Sequence, residues 1–394
     1  DREVDPCDDF YEFACGTWLE DTELPSDKTV WARSFSTIQE RNEEILKGIL
    51  EDAVSDPGDD PNLQKVGAVY GTCMDEEAVE AAGAAPLEPR MARVAEVEDL
   101  GSYIDVVGSM MLAGIDSPIG GEVFGDFVDP DLNILHIYQS GLGLPDRDYY
   151  VELDDEGKEL LADYEAHVAR LLVLSGLSEE DAAADAARVV AFETKLAEIS
   201  LPRQELRDPQ KIYNRLELEG ADALMPNVSL AGWLAAGGYP GITQINVMTP
   251  TYFEKLDPIL VDTDVDTLKA FLRWNIVGTY ASQLDSRFVD AQFEFYGKRL
   301  RGQAENEPRW KRCVEFTQGH LGDVMAQIYV DRAFGGDSKD VAVEMITDIE
   351  EAFTAGLDDL AWMDEPTREG ARAKAAKVVN KIGYPDKWKD YGAL

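Results

Sequence analysis

Apolar residues return at intervals of three and four along much of this 394-residue chain, which is the spacing of one face of an α-helix. The segment from Phe35 to Leu50 follows this spacing after the turn-forming residues 25–27. The segment from Leu63 to Met74 follows the same spacing after a loop rich in Pro, Gly and Asp, and this spacing places Cys73 on the inward face. We therefore expect a helix in each segment and a fold that is built mainly from helices.

Six further segments show helical spacing or a helix-forming composition, and they are residues 160–172, 179–199, 266–289, 308–334, 339–360 and 365–381. Gly176 is placed to end the first of these helices, and Ser178 with Asp181 resembles a capping arrangement at the start of the second. Glu193 and Glu198 both lie in the second helix. We expect these two carboxylates to be solvated rather than to form an acid–base pair.

The sequence predicts few strands. Residues 122–128 and 132–139 alternate between apolar and polar side chains around an Asp-Pro-Asp turn and predict a hairpin, and residues 245–248 predict a short strand. The longest apolar run, residues 106–115, is interrupted by glycine and serine and is too short to span a bilayer. The predicted fold is therefore mainly α, a large helical lobe with one or two small β-hairpins.

The charge of the chain excludes some classes of partner. Asp and Glu number 78 against 36 Lys and Arg, which gives a formal net charge of −42. We expect no nucleic acid partner, because phosphate binding needs a basic surface. The acidity fits solubility or adaptation to a salty medium, or a negative field that attracts cationic peptides.

One segment reverses this balance. Residues 367–389 contain seven basic side chains and only two acidic ones. They form either a solvated helix face or a surface that docks on acidic side chains elsewhere in the same protein.

The sequence contains no self-sufficient active site. Its three histidines, His136, His167 and His320, are far apart, and none belongs to an H-E-x-x-H motif that would place two imidazoles around a zinc ion. We expect His136 in a strand and His167 in a helix to be structural. Neither a Gly-x-Ser-x-Gly elbow nor a phosphate-binding glycine loop is present.

A series of motifs nevertheless runs along the chain in a fixed order. The motifs are DPCDDFYEFACGTWL at Asp5–Leu19, GLGLPDRDYY at Gly141–Tyr150, RDP with YN at Arg207–Asn214, WKRC at Trp310–Cys313, and WMD with IGYP at Trp362–Pro385. Together they strongly resemble the N-terminal region of the neprilysin and endothelin-converting-enzyme family of zinc metalloendopeptidases. The resemblance covers residues 5–390.

The resemblance implies a peptidase whose catalytic part lies beyond this chain. In that family the zinc-binding H-E-x-x-H helix and the third ligand follow the IGYP motif, and this chain ends at Leu394 before them. The parent would bind zinc and hydrolyse peptides of limited size, whereas this segment would bind no zinc and would be inactive alone. Its partners would be peptide substrates and the C-terminal catalytic lobe of the same protein.

The resemblance also implies a division of the chain. Residues 1–30 are expected to pack on the missing catalytic lobe, residues 31–385 to form the helical cap lobe, and residues 386–394 to begin the connection to the catalytic lobe. A competing hypothesis is a helical binding or scaffold module that is derived from the family and has lost catalysis. An H-E-x-x-H motif after Leu394 would separate the two.

The same resemblance assigns the four cysteines. Cys73 would pair with Cys313 inside the helical lobe, whereas Cys7 and Cys15 would pair with cysteines of the catalytic lobe. The alternative is that all four are free thiols, buried as small apolar side chains. Disulfide use implies an extracytoplasmic protein, which is secreted, periplasmic or a membrane-anchored ectodomain.

Two residues are candidates for substrate contact. By resemblance, Phe35 lines the apolar pocket for the side chain that follows the scissile bond, although its place on a helix face also fits a plain core residue. Val30 or Trp31 stands where the family commonly has an Arg that binds the substrate's terminal carboxylate, and Ser36 replaces an Asp. Arg33 could supply this contact from a shifted position.

Overall fold

The computed structural model describes all residues from Asp1 to Leu394. The chain divides into two compact units, one made of Asp1–Asp75 with Glu305–Leu394 and the other of Glu76–Ala304. The expected boundaries at residues 30 and 385 concern packing against a lobe outside this chain and stay predictions. None of the helices combines the length and the apolar character that a membrane span requires.

The predicted mainly α class is confirmed, with sixteen helices against four short strands. The helices are α1 Phe10–Asp21, α2 Phe35–Ser55, α3 Pro61–Met74, α4 Glu76–Ala82, α5 Glu88–Val94, α6 Leu100–Met110, α7 Asp155–Leu174, α8 Glu179–Ile199, α9 Leu218–Asp222, α10 Leu230–Ala236, α11 Pro250–Asp262, α12 Val265–Tyr280, α13 Ser286–Gln292, α14 Arg309–Ala333, α15 Ser338–Gly356 and α16 Glu365–Ala375. The strands are β1 Ile119–Gly125, β2 Asn133–Gln139, β3 Arg215–Glu217 and β4 Gln244–Val247.

The first unit is held together by α2, α3 and α14. Their buried side chains form one apolar cluster, whose largest members include Leu50, Tyr70, Val324 and Met325. Helix α3 begins at Pro61, two residues before the predicted segment, because Asp60 caps its N-terminus by accepting a hydrogen bond from the Asn62 N–H and Pro61 occupies the first turn.

The predicted helix from Phe35 is present, but its apolar face is not buried throughout. The side chains that α2 buries all lie in its second half, at Leu46, Ile49, Leu50 and Ala53. Phe35 and Ile38 are exposed. Periodicity placed both on the core face, yet more than half of each side chain is uncovered, 82% of Phe35 and 55% of Ile38.

The second unit has a larger core around α6, α7, α8, α10, α11 and α12. The break between α7 and α8 is the one that the sequence predicts. Gly176 follows α7 with a left-handed φ of 112°, and Ser178 caps α8 by accepting a hydrogen bond from the Asp181 N–H. Tyr164 of α7 and Trp274 of α12 pack edge to face inside this core.

A four-stranded sheet of order β1-β2-β4-β3 completes the second unit. The predicted hairpin is present, with Glu122 of β1 opposite His136 of β2. Strand β4 runs parallel to β2, and β3, which sequence patterning did not reveal, pairs antiparallel with β4. The hairpin is therefore one edge of a larger sheet.

Two predicted helices are shorter than expected. The segment 266–289 breaks after Tyr280, because the buried carboxylate of Asp285 caps a new helix through the Arg287 N–H and pairs with the Arg287 guanidinium. The last helix ends at Ala375 and not at Lys381. The Val-Val-Asn sequence at 378–380 has low helix propensity, which accounts for the early end.

Candidate functional site

Local hydrogen bonds fix the N-terminal end of α2. The Ser36 hydroxyl accepts from the Ala32 N–H at 3.0 Å, and the Thr37 hydroxyl donates to the Arg33 carbonyl at 3.0 Å. These bonds turn the chain into the helix just after Arg33. Both predicted substrate-contact residues are thereby held at one helix end, two positions apart.

The side chains of these two residues point away from the unit's core. Phe35 is 82% exposed, so the alternative of a plain core residue is wrong for this chain. Arg33 is also exposed, and its guanidinium has no ion pair. The structure therefore leaves an aromatic ring and a cation available at the start of α2.

An open groove of about 710 Å³ continues along α2 from this end. Its lining includes Ile38, Arg41, Asn42, Ile45 and Gly48 of α2 and Arg332 of α14. The Tyr329 hydroxyl donates to the Asn42 amide oxygen at 2.9 Å, and Arg332 pairs with Asp52 at 2.5 Å. These two contacts join α2 to α14 along the groove.

Arg41 is a candidate that sequence reasoning missed. It lies three residues after Ile38 and four before Ile45, so helical spacing places it on the groove side. Unlike Arg332 it has no ion pair. Arg33 and Arg41 are therefore the two unpaired cations of this surface.

The structure contains one disulfide, and the expected pairing of Cys7 and Cys15 with cysteines outside this chain stays a prediction. Cys73 at the end of α3 and Cys313 near the start of α14 form a disulfide with a sequence separation of 240 residues, so they are not free thiols. Cys7 is an exposed thiol and Cys15 a partly exposed one. Around Cys15, Gly16 is the one buried residue of α1. This N-terminal segment is thus outside the core of its unit.

No group of three His, Cys, Asp or Glu side chains is arranged to hold a metal ion. His136 is buried and stacks on Phe124 with ring centroids 3.6 Å apart. His167 is buried against Phe295, and its Nε2 lies 3.0 Å from the Gln292 amide oxygen. Both histidines belong to the packing of the second unit.

Glu193 corrects one expectation, because its side chain is fully buried and not solvated. Its carboxylate accepts hydrogen bonds from the hydroxyls of Tyr150 at 2.6 Å and Tyr164 at 3.0 Å. Burial raises the pKa of Glu193 to about 7, although the hydrogen bonds act in the opposite direction and lower this pKa. The Tyr150 hydroxyl also accepts from the Leu144 N–H, so the network anchors the GLGLP loop on α8. Glu198 is exposed, as expected.

The basic segment is partly engaged within its own unit. Of its basic side chains, Arg372 pairs with Asp358 and Lys389 pairs with Asp323 at 2.7 Å, whereas Lys339, outside the segment, pairs with the segment's own Asp386. Arg368 donates to the carbonyls of Leu357 and Leu360. These contacts favour docking on nearby acidic groups over a purely solvated face.

Comparison with known proteins gives a consistent result. Residues 6–385 match the model of peptidase family M13. Endothelin-converting enzyme 1 of Cavia porcellus is 32% identical over 97% of this chain and 52% of its own length. Neprilysin-3 of Drosophila melanogaster is 29% identical over 98% of this chain and 51% of its own length. The chain therefore spans about half the length of the curated relatives it matches.

A solved structure is also closely similar. The Mycobacterium tuberculosis zinc metalloprotease ZMP1, in complex with an inhibitor, superposes with a TM-score of 0.92 at 31% identity. The match covers 100% of this chain and 60% of that protein. The zinc that this relative's name specifies has no ligand set in the present chain.

Proposed function

This chain belongs to peptidase family M13 and corresponds to the N-terminal region of its members, and on this basis we propose that the whole protein is a zinc metalloendopeptidase acting on peptides of limited size. The observation that carries the proposal is the likeness to endothelin-converting enzyme 1 along 97% of the chain. In this proposal the helical region caps a catalytic lobe and restricts which peptides enter.

The zinc ligands would lie outside this chain. Within it, no cluster of His, Cys, Asp or Glu side chains suits a metal ion, and the curated relatives are about twice as long. The isolated chain would accordingly be inactive. The protein would work outside the cytosol, where a disulfide such as Cys73–Cys313 persists.

We further propose that Phe35 and Arg33 contact the substrate. Phe35 would line the apolar pocket for the side chain after the scissile bond, and Arg33 would bind a terminal carboxylate through paired hydrogen bonds. Their exposure and the lack of an ion pair at Arg33 support this role. Arg41, farther along the groove, is the second cation that could hold a carboxylate.

The test is peptide hydrolysis by the full-length protein and by this chain. We expect the full-length protein to contain stoichiometric zinc and to cleave short peptides faster than folded proteins, and a chelator should abolish the activity. The isolated chain should show neither zinc nor hydrolysis. A zinc-free, inactive full-length protein would overturn the proposal and would favour a non-catalytic helical binding module.

A further inference from the structure

Helix α15 of the first unit presents an apolar ridge that nothing in this chain covers. Val341, Met345, Ile349 and Phe353 recur every four residues, and their exposed fractions lie between 49% and 61%. The helix buries no residue of its own, although Ala342 and Ile346 on the adjacent side are partly buried. A contiguous row of large apolar side chains at this exposure marks an interaction surface.

An acidic row runs directly beside this ridge. Asp340, Glu344 and Asp348 each precede a ridge residue by one position, so helical geometry sets them along one flank. All three are exposed, and none forms an ion pair or accepts a hydrogen bond through its carboxylate. The partner must therefore match an apolar row with basic side chains at one border.

This pattern argues against a second copy of the same helix. Two antiparallel α15 ridges would bring the acidic rows together, and in a parallel pair each acidic row would meet the flank of Ala342 and Ile346, which offers no cation. Both arrangements are unfavourable on a chain whose net charge is already −42. A partner with Lys or Arg at the corresponding border gains charge complementarity as well as apolar contact.

We propose that the α15 ridge docks into an apolar groove bordered by Lys or Arg in the part of the full-length protein that this chain lacks. This inference rests on the proposed function, because it assumes that the protein is about twice as long, like its relatives. Ridges spaced by four residues fit grooves between the side-chain rows of a facing helix. The α15 ridge thus supplies a specific contact between the two halves.

Met345 makes the docking measurable, since an exposed thioether oxidises to the sulfoxide and a covered one is protected. With hydrogen peroxide as the oxidant, we expect Met345 to oxidise severalfold more slowly in the full-length protein than in this chain. Met325, which is 1% exposed, should be slow in both and serves as the internal reference. Equal Met345 rates in the two proteins would overturn the inference.

Two variants of the full-length protein sharpen the test. Ile349→Glu should restore rapid Met345 oxidation, whereas Val343→Glu, on another side of the same helix, should not. Glu344→Lys should also raise the Met345 rate, and Glu254→Lys, an exposed carboxylate of α11, is its control. Control variants that raise the rate as much as the ridge variants would contradict a specific interface.

Activity distinguishes this inference from the proposed function. An active zinc peptidase with an unprotected Met345 would refute the docking surface alone. An inactive full-length protein with a protected Met345 would refute the peptidase proposal alone. Protection that appears in the isolated chain as its concentration rises would identify a second copy as the occupant and would overturn the inference.

Discussion

The Tyr150 hydroxyl donates a 2.6 Å hydrogen bond to the Glu193 carboxylate, across 43 residues of sequence and inside a fully buried site. The Tyr164 hydroxyl, the Gly143 backbone N–H and the Trp274 indole N–H also bond to this carboxylate, and none of these groups is a cation. The pair therefore connects the GLGLP loop to α8 through a group that titrates near neutral pH.

The first prediction is that Glu193 makes the folded protein less stable as pH rises. Its folded pKa is about 7 and its ordinary value is 4.5, so between these values the folded state binds more protons than the unfolded state. The free energy of unfolding should fall by up to about 3 kcal/mol across this window. Glu193→Gln should remove this fall, and denaturant unfolding at several pH values measures it. If the free energy of unfolding changed with pH in the same way in the variant and the wild type, the prediction would be contradicted.

The second prediction concerns His167 and has the opposite sign. Burial lowers its pKa from 6.5 to about 4, so between these values the unfolded state binds more protons and stability falls as pH falls. The loss should reach about 3 kcal/mol. His167→Phe keeps an aromatic ring against Phe295 and should abolish the acid-side loss in the same titration. A variant that loses stability toward acid as steeply as wild type would refute this assignment.

The third prediction is that the Cys73–Cys313 disulfide is a major source of stability. A cross-link over 240 residues removes chain entropy from the unfolded state, worth roughly 5 kcal/mol as an upper bound. Replacing both cysteines with serine should lower the free energy of unfolding by up to that amount. Replacing the free thiols Cys7 and Cys15 in the same way is the matched control and should change little. Peptide mapping without reductant should recover the linked pair.

The fourth prediction is that position 143 admits only glycine. A Cβ there would lie 1.8 Å from the Tyr164 hydroxyl and 2.7 Å from its ring carbon, inside the Glu193 network. Gly143→Ala should therefore destabilise the protein by about 1 to 3 kcal/mol, the usual cost of overpacking. Gly241→Ala, which meets no atom within 4 Å, should have almost no effect on the thermal midpoint. Similar midpoints for the two variants would show that the loop can move aside.

The fifth prediction separates binding from folding at Phe35. Because its ring is exposed, Phe35→Ala should leave the stability of this chain nearly unchanged, whereas Phe253→Ala in the core should cost about 3 to 5 kcal/mol. In the full-length protein, Phe35→Ala should shift the preference for the residue after the scissile bond by about 1 to 3 kcal/mol. A large loss of stability with unchanged specificity would favour a structural role.

Local pattern was sufficient for much of the helical framework. The caps at Asp60 and Ser178 and the glycine at 176 act within a few residues, so the sequence carries their signals directly. The break after Tyr280 was not predicted, because Asp285 looks like any acidic side chain until its carboxylate caps the next helix.

Long-range relationships were beyond local pattern. Glu193 looked solvated because the two tyrosines that surround it come from 29 and 43 residues earlier in the chain. Strand β3 is three residues long, and its pairing with β4 gives no periodic signal. At the candidate site, spacing put Phe35 on the core face, and only the packing of α2 showed that its first half lies uncovered.

The disulfide also determines how the chain would bear mechanical force. Cys73 and Cys313 both lie in the first unit, on either side of the insertion Glu76–Ala304 that forms the second. Tension applied between Asp1 and Leu394 would pass through the sulfur–sulfur bond. Residues 74–312 would therefore experience no stretching force and would not unfold under tension. Only after reduction would stretching the ends extend the inserted unit.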